Sequence, residues 1–143
     1  LELLNNALIN LQCELVAERN IVNPKKISWL QYDILHLISQ NKLMLPSDLN
    51  ISLGISRSKL SKALKELKIM GYIQQKPSDK DGRELLTSLT NEGQELLANI
   101  HNGHNQIYFI AKKVFTEEEQ EQFGKLASKL SNALRTERMT QNE

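Results

Sequence analysis

Between Ser56 and Gly71 the chain reads SRSKLSKALKELKIMG, and Leu60, Ala63, Leu64 and Leu67 recur in it at steps of three and four or their sums. That spacing gathers them on one side of a helix. Ser56 supplies an N-terminal cap and Gly71 a C-terminal stop. Two strand-like runs follow at once, YIQQKP and ELLTSL, separated by SDKDG with its Asp81-Gly82 turn signal. A helix bounded in this way and followed directly by a hairpin leaves few architectures open. Gly82 tolerates a positive φ, which predicts a tight and narrow hairpin tip.

The flanking segments complete the order. LPSDLNISLGIS predicts a short helix capped by Ser47 and closing at Gly54. Ahead of it, Ser28 and Gln31 form a capping box for a helix with Trp29, Ile34, Leu35, Leu37 and Ile38 as its apolar positions. Leu1, Leu4, Leu8, Leu11 and Leu15 make a stripe on a first helix that ends at Asn23-Pro24. Thr90 starts a helix expected to run through Val114, with Gly93 and Gly103 as weak points. Thr116 and Glu119 cap a last helix to about Arg135, beyond which TERMTQNE is expected to fray. Four helices, a hairpin and two helices make a mainly α (α+β) chain: a winged helix-turn-helix with long helices at both ends. One domain over 1–143 is expected, with residues 28–90 as the winged lobe.

Composition narrows the function. The net charge is only +1, with 24% charged and 40% hydrophobic residues, so attraction to a polyanion has to come from the distribution of charge. From Pro46 to Leu89 there are eight Lys or Arg against five Asp or Glu, and from Thr116 to Glu143 four against six. The single cysteine, Cys13, cannot form an internal disulfide, which fits a reducing cytoplasm. No run approaches the roughly 18 apolar residues of a membrane span. The opening LELLNNALINLQCEL is interrupted by polar residues, has no basic leader, and does not read as a signal peptide. The chain carries no phosphate-binding glycine loop, nucleophile elbow or metal motif. No catalytic residue, metal site or cofactor is expected, and the chain is not read as an enzyme.

On the helix from Ser56, Arg57, Ser58, Ser61, Lys62 and Lys65 fall within an arc of about 140° opposite the leucines. A face of cations and hydroxyls suits the major groove of duplex DNA, where Arg pairs with guanine, Ser reads several base edges and Lys neutralises phosphate. Alone, such a face fits a solvated surface equally well. Lys80 and Arg83 at the hairpin tip, where a second groove contact belongs, tip the balance toward DNA.

The stretch SDLNISLGISRSKLSKALKELKIMGYI…DKDGRELLTSLTNEGQELL resembles the MarR family of bacterial transcription regulators. The resemblance covers about Trp29 to Leu97, and its most specific pieces are Leu-Gly-Ile-Ser ahead of the basic helix, Asp81-Gly82-Arg83, and LTNEG. It implies a homodimer on a pseudo-palindromic operator, most simply a repressor, with the helix from Ser56 in the major groove and the wing on the minor groove or backbone. It also implies a wing arginine at Arg83 and, at Asp81, an acid that helps hold the wing. The expected DNA-binding set is Ser56, Arg57, Ser58, Lys59, Ser61, Lys62, Lys65, Lys80, Asp81, Gly82 and Arg83, with Lys59 and Lys65 nearer phosphate. Helices at 1–22 and 91–137 are then expected to interlock two subunits through Leu96, Leu97, Ile100, Ile107, Ile110, Val114, Phe123, Leu126, Leu130 and Leu134. Three positions depart from the family: Asn50 stands where a small Ala is usual, Gln75 where Arg is frequent, and Gly82 where a second wing arginine is common. The alternative function is a winged-helix module that binds protein instead of DNA.

The family often binds small aromatic effectors, and Trp29, Tyr32 and Tyr108 are candidates to border such a pocket, though ordinary core or rim packing accounts for them as well. His101 and His104 share a helix face, with His36 near only if the fold brings it there. No persuasive metal set follows. Cys13 lies opposite the leucine stripe with nothing evident to lower its pKa, so an inert thiol is expected.

Overall fold

In the computed structural model, which describes residues 2–24, 26–79, 82–103 and 105–141, nine elements follow in order. They are α1 (Glu2–Ile21), α2 (Trp29–Asn41), α3 (Pro46–Leu53), α4 (Arg57–Ile69), β1 (Ile73–Pro77), β2 (Leu85–Leu89), α5 (Asn91–Gly103), α6 (Gln106–Val114) and α7 (Glu117–Gln141). Local chemistry sets several of these limits. Ser28 Oγ accepts from the Gln31 N–H at 3.1 Å while Gln31 Oε1 accepts from the Ser28 N–H at 2.9 Å, the expected box at the start of α2. Thr116 and Glu119 repeat it for α7 at 3.1 and 2.9 Å.

Three boundaries differ from the sequence reading. α3 begins at Pro46, with Leu45 at the cap position and no side-chain cap, so Ser47 sits inside the first turn. Proline at that place has no donor to lose and a φ already suited to helix. The helix from Thr90 divides after Gly103 into α5 and α6, where glycine is least able to continue it. The last helix does not fray after Arg135 but runs to Gln141, because Arg138 Nη2 donates to the Ser52 carbonyl at 2.9 Å.

β1 and β2 pair antiparallel from Ile73↔Leu89 to Pro77↔Leu85. Met44 adds a one-residue bridge to Thr87, with N–H···O distances of 3.0 and 2.8 Å. The Ser78 N–H donates to the Glu84 carbonyl at 2.9 Å, beyond the last strand pair. Lys80 and Asp81, and with them the expected Asp81-Gly82 turn, lie outside the described residues.

Ile34, Leu35, Ile38, Leu49 and Leu67 are fully buried, so α2, α3, α4 and the sheet close on one core that Leu97 and Ile100 of α5 join. Among the described residues α1, α6 and α7 bury none. The Leu-Thr-x-x-Gly segment locks α5 to the end of α4. Thr90 Oγ1 donates to the Gly71 carbonyl at 2.6 Å and accepts from the Gly93 N–H at 3.0 Å, while the Thr90 N–H donates to the Tyr72 carbonyl at 3.1 Å. A Cβ on Gly93 would stand 2.1 Å from that Tyr72 oxygen. Gly93 is therefore a point of close approach and not a weak point of the helix.

α1 meets the lobe through Arg19, whose guanidinium grips Asp33 of α2 at 2.7 and 2.9 Å and lies 4.9 Å from the centre of the Trp29 ring. Trp29 Nε1 donates to the Arg19 and Val22 carbonyls at 2.8 and 3.0 Å. Farther along α2, Tyr32 and His36 stack at 6.2 Å, and both meet His101 of α5 at 5.5 and 5.6 Å. Burial pulls the His36 imidazole below its usual pKa, and like charge on His101 adds to this, against an opposing pull from Asp33.

Gly93→Ala is expected to cost about 1–3 kcal/mol, read from the urea midpoint; an unchanged midpoint removes the close approach from the account. For His36, the unfolded chain takes up its proton at a higher pH than the folded chain. The neutral imidazole's contribution to stability is thus complete above pH 6.5 and is lost as pH falls below that value. His36→Gln is expected to flatten the stability curve on the acid side of neutrality, and an unaltered slope would assign the titration to another group.

Candidate nucleic-acid interface

The turn between α3 and α4 is three residues long, Gly54 to Ser56, the length of a helix-turn-helix connection. Gly54 adopts φ 65°, and its N–H donates to the Ile51 carbonyl at 3.2 Å while the Ile55 N–H donates to that of Asn50 at 3.1 Å. Positive φ costs glycine least, which is why the residue stands here. Ser56 Oγ then accepts from the Lys59 N–H at 3.2 Å and starts α4. Asn50, the departure in the first helix of the motif, is half-buried and reaches across this turn, its Nδ2 3.5 Å from the Ile55 carbonyl.

Leu60, Ala63, Leu64 and Leu67 face the core and fix the rotation of α4. Ser56, Arg57, Ser58, Lys59, Ser61, Lys62 and Lys65 are all exposed in consequence. The structure brings Arg57, Ser61 and Lys65 together with Arg83 of the wing around one open groove of about 500 Å³ between α3, α4 and the hairpin. Ser56 at the cap of α4, and Ser58, Lys59 and Lys62 on the helix, lie beyond its lining, and Gly82 is exposed beside Arg83. The other two expected residues, Lys80 and Asp81, lie outside the described residues.

Two further residues line the groove. Lys68 follows Arg57 by eleven positions, about three helical turns, so the spacing already placed it on the same face. Gln75 lines it from β1, but its Nε2 donates to Thr87 Oγ1 at 3.1 Å. That amide braces the hairpin, where a cation at the same position would project charge. Among the described lining residues, four cations, Arg57, Lys65, Lys68 and Arg83, face one carboxylate, Glu84.

The remaining candidates are distributed elsewhere. Trp29 meets Tyr32 edge-on at 5.3 Å, whereas Tyr108 packs against Phe109 on α6 at 5.6 Å. The fold does bring His36 to His101, but His104 lies outside the described residues. Among the described residues no group of three or more His, Cys, Asp or Glu is arranged to hold a metal. Cys13 is exposed on α1. No helix of the described residues is long and apolar enough to cross a membrane.

Comparison with known proteins bears on this geometry. The MarR family model matches residues 26–84, the span from α2 to the wing. The chain is 30% identical over 99 residues to the transcriptional repressor MprA of Escherichia coli K12, covering 66% of this chain and 54% of that protein. It thus spans about half the length of the curated relatives it matches. A MarR protein from Peptoclostridium difficile has the same fold at a TM-score of 0.76 and 24% identity, over 94% of this chain and 91% of that one. Streptococcus pneumoniae FabT in complex with DNA superposes at 0.68 with 22% identity, over 94% and 97% of the two chains. A mutant MarR of E. coli complexed with operator DNA gives 0.66 at 22% identity, over 87% and 91%. Residues 26–84, which carry the helix-turn-helix and the wing, thus match the MarR family in sequence, and the chain shares the fold of its solved members.

Proposed function

We propose that this protein is a sequence-specific regulator that binds double-stranded DNA as a homodimer on a pseudo-palindromic operator, most simply as a repressor. The observation that carries the reading is the convergence of the α4 face and the wing on one cationic groove. The protein is nearly neutral overall, yet these cations are concentrated where a helix and a hairpin are presented together. Arg57 and Ser61 are placed to read base edges, Lys65 and Lys68 to meet phosphate, and Arg83 to hold the wing on the duplex. The FabT and MarR relatives solved with DNA have the same winged fold, which supports this use of the surface.

The terminal helices support a dimer. Leu4, Leu11 and Leu15 of α1, Ile107, Ile110 and Val114 of α6, and Phe123, Leu126, Leu130 and Leu134 of α7 are exposed in the single chain. Burying a leucine-sized side chain stabilises by about 1.5–3 kcal/mol, so a second copy interlocking these stripes has ample driving force. A two-fold partner also sets two α4 helices for successive major grooves, about 34 Å apart.

The test is fluorescence anisotropy with duplex from the protein's own upstream region and with a shuffled duplex, over a range of salt. Preference for the native sequence, falling steeply with salt, is expected. Equal and weak binding to both, with little salt dependence, would favour docking of a protein on the same basic face. Arg57→Ala is expected to cost about 1–3 kcal/mol and to relax sequence choice. Lys68→Ala is expected to weaken both duplexes alike and reduce the salt slope by about one; an unchanged slope would take Lys68 off the phosphate. Leu130→Glu is expected to yield monomers in sedimentation equilibrium, and a persistent dimer would move the subunit contact away from α7.

A further inference from the structure

α1 is 20 residues long, about 30 Å of helix, and buries none of them in the single chain. It is tied to the winged lobe by a clasp at its last turn. Arg19 Nη1 and Nη2 donate to the two carboxylate oxygens of Asp33 at 2.9 and 2.7 Å, and the guanidinium carbon lies 4.9 Å from the centre of the Trp29 ring. Trp29, the first residue of α2, donates in return from Nε1 to the Arg19 and Val22 carbonyls. The indole thus caps the end of α1, where carbonyls otherwise lack partners. The side chains of Arg19 and Asp33 remain 45% and 29% exposed, and ion pairs so open to water add little to stability. A two-pronged guanidinium whose face rests on an indole nevertheless fixes direction as well as distance.

The core route from the lobe to the terminal helices is interrupted: α5, which shares the core, stops at Gly103, and α6 begins anew at Gln106. We propose that Arg19 is a positioning residue: by clasping Asp33 and Trp29 it sets the angle between α1 and the lobe, and through that angle the separation of the two α4 helices in the homodimer. The inference rests on the homodimer of the proposed function, in which Leu4, Leu11 and Leu15 join α1 to the second copy. With α1 held along that stripe, the lobe can swing only about the clasp at its end. A rotation of about 10° shifts a point about 30 Å away, the diameter of a small domain, by about 5 Å. That is about one and a half base-pair steps. Two helices that must enter successive major grooves about 34 Å apart lose contacts at such an error. Arg19 is not among the residues lining the α4 groove, so its effect on DNA binding acts through geometry.

The test is double electron–electron resonance on the intact protein without DNA, with a spin label on Lys62→Cys of α4. Cys13→Ser removes the single native cysteine, so each chain carries one label and the distance read is α4 to α4. With Arg19 in place a single narrow distribution is expected. Arg19→Gln is expected to broaden or displace it by about 5 Å. Asp33→Ala, which opens the clasp from the lobe side, is expected to do the same, with helical circular dichroism and the dimer retained in both. Lys26→Gln removes the same charge from the α1–α2 connection outside the clasp and is expected to change nothing. A distribution unaltered by Arg19→Gln or by Asp33→Ala, or altered as much by Lys26→Gln, overturns the inference. No measurable distance in the parent protein would mean that the homodimer itself fails, and the inference with it. On the native duplex Arg19→Gln is expected to weaken binding with the salt slope unchanged; a slope reduced by about one would make Arg19 a phosphate contact and overturn its positioning role.

Discussion

The seating of α4 on the core is the interaction on which the rest of the molecule depends. Leu60, Ala63, Leu64 and Leu67 are withdrawn from water on one side of the helix, with Leu67 wholly enclosed. Burial of this kind stabilises by about 1.5–3 kcal/mol for each large side chain. Repulsion between neighbouring lysines on a helix costs only a few tenths of a kcal/mol per pair, and Glu66 is the sole acid on α4 to relieve it. The leucines therefore decide how the helix is rotated, and the cations are carried outward whether or not anything binds them. A function that needs a projecting row of positive charge is in this sense a by-product of core packing.

What α4 presents also depends on how its two ends are held. At the start, the left-handed Gly54 and the Ser56 cap turn the chain sharply from α3. At the end, Thr90 ties the Gly71–Tyr72 turn to the first turn of α5, at a contact that only a residue without Cβ allows. That lock places the hairpin beside α4 and brings Arg83 to the same groove as Arg57 and Lys65. From the far end of the chain, Arg138 reaches the carbonyl of Ser52 just ahead of the turn. The helix read as a subunit contact is thus wired to the element read as a DNA contact.

Much of this was legible in the residues. The capping boxes at Ser28 and Thr116, the cap at Ser56 and the stops at Gly54 and Gly71 act through bonds spanning only a few residues, so short patterns carry them. Gly103 was legible as a weak point but not as a break, and the start of α3 at Pro46 was missed, because glycine and serine each permit two local outcomes and packing chooses between them. The Met44–Thr87 bridge and the Arg138–Ser52 bond join residues far apart in sequence and leave no local trace. Lys68 is a different case: it shares the spacing of Arg57, Ser61 and Lys65, and helical geometry alone placed it on the face.

The sequence by itself determined the element types, the inward and outward sides of α4 and the kinship of the winged lobe. These follow from periodicity and from caps, whose energies are set within a turn or two of chain. Only the tertiary structure decided which outward residues meet across elements. It set Arg57, Ser61, Lys65 and Lys68 opposite Arg83, left Ser58, Lys59 and Lys62 outside that groove, and joined His36 to His101. The reason is that burial fixes each helix's rotation, but the distance between two exposed side chains on different elements depends on how the helices and hairpin dock. That docking is set by the packing of the whole core.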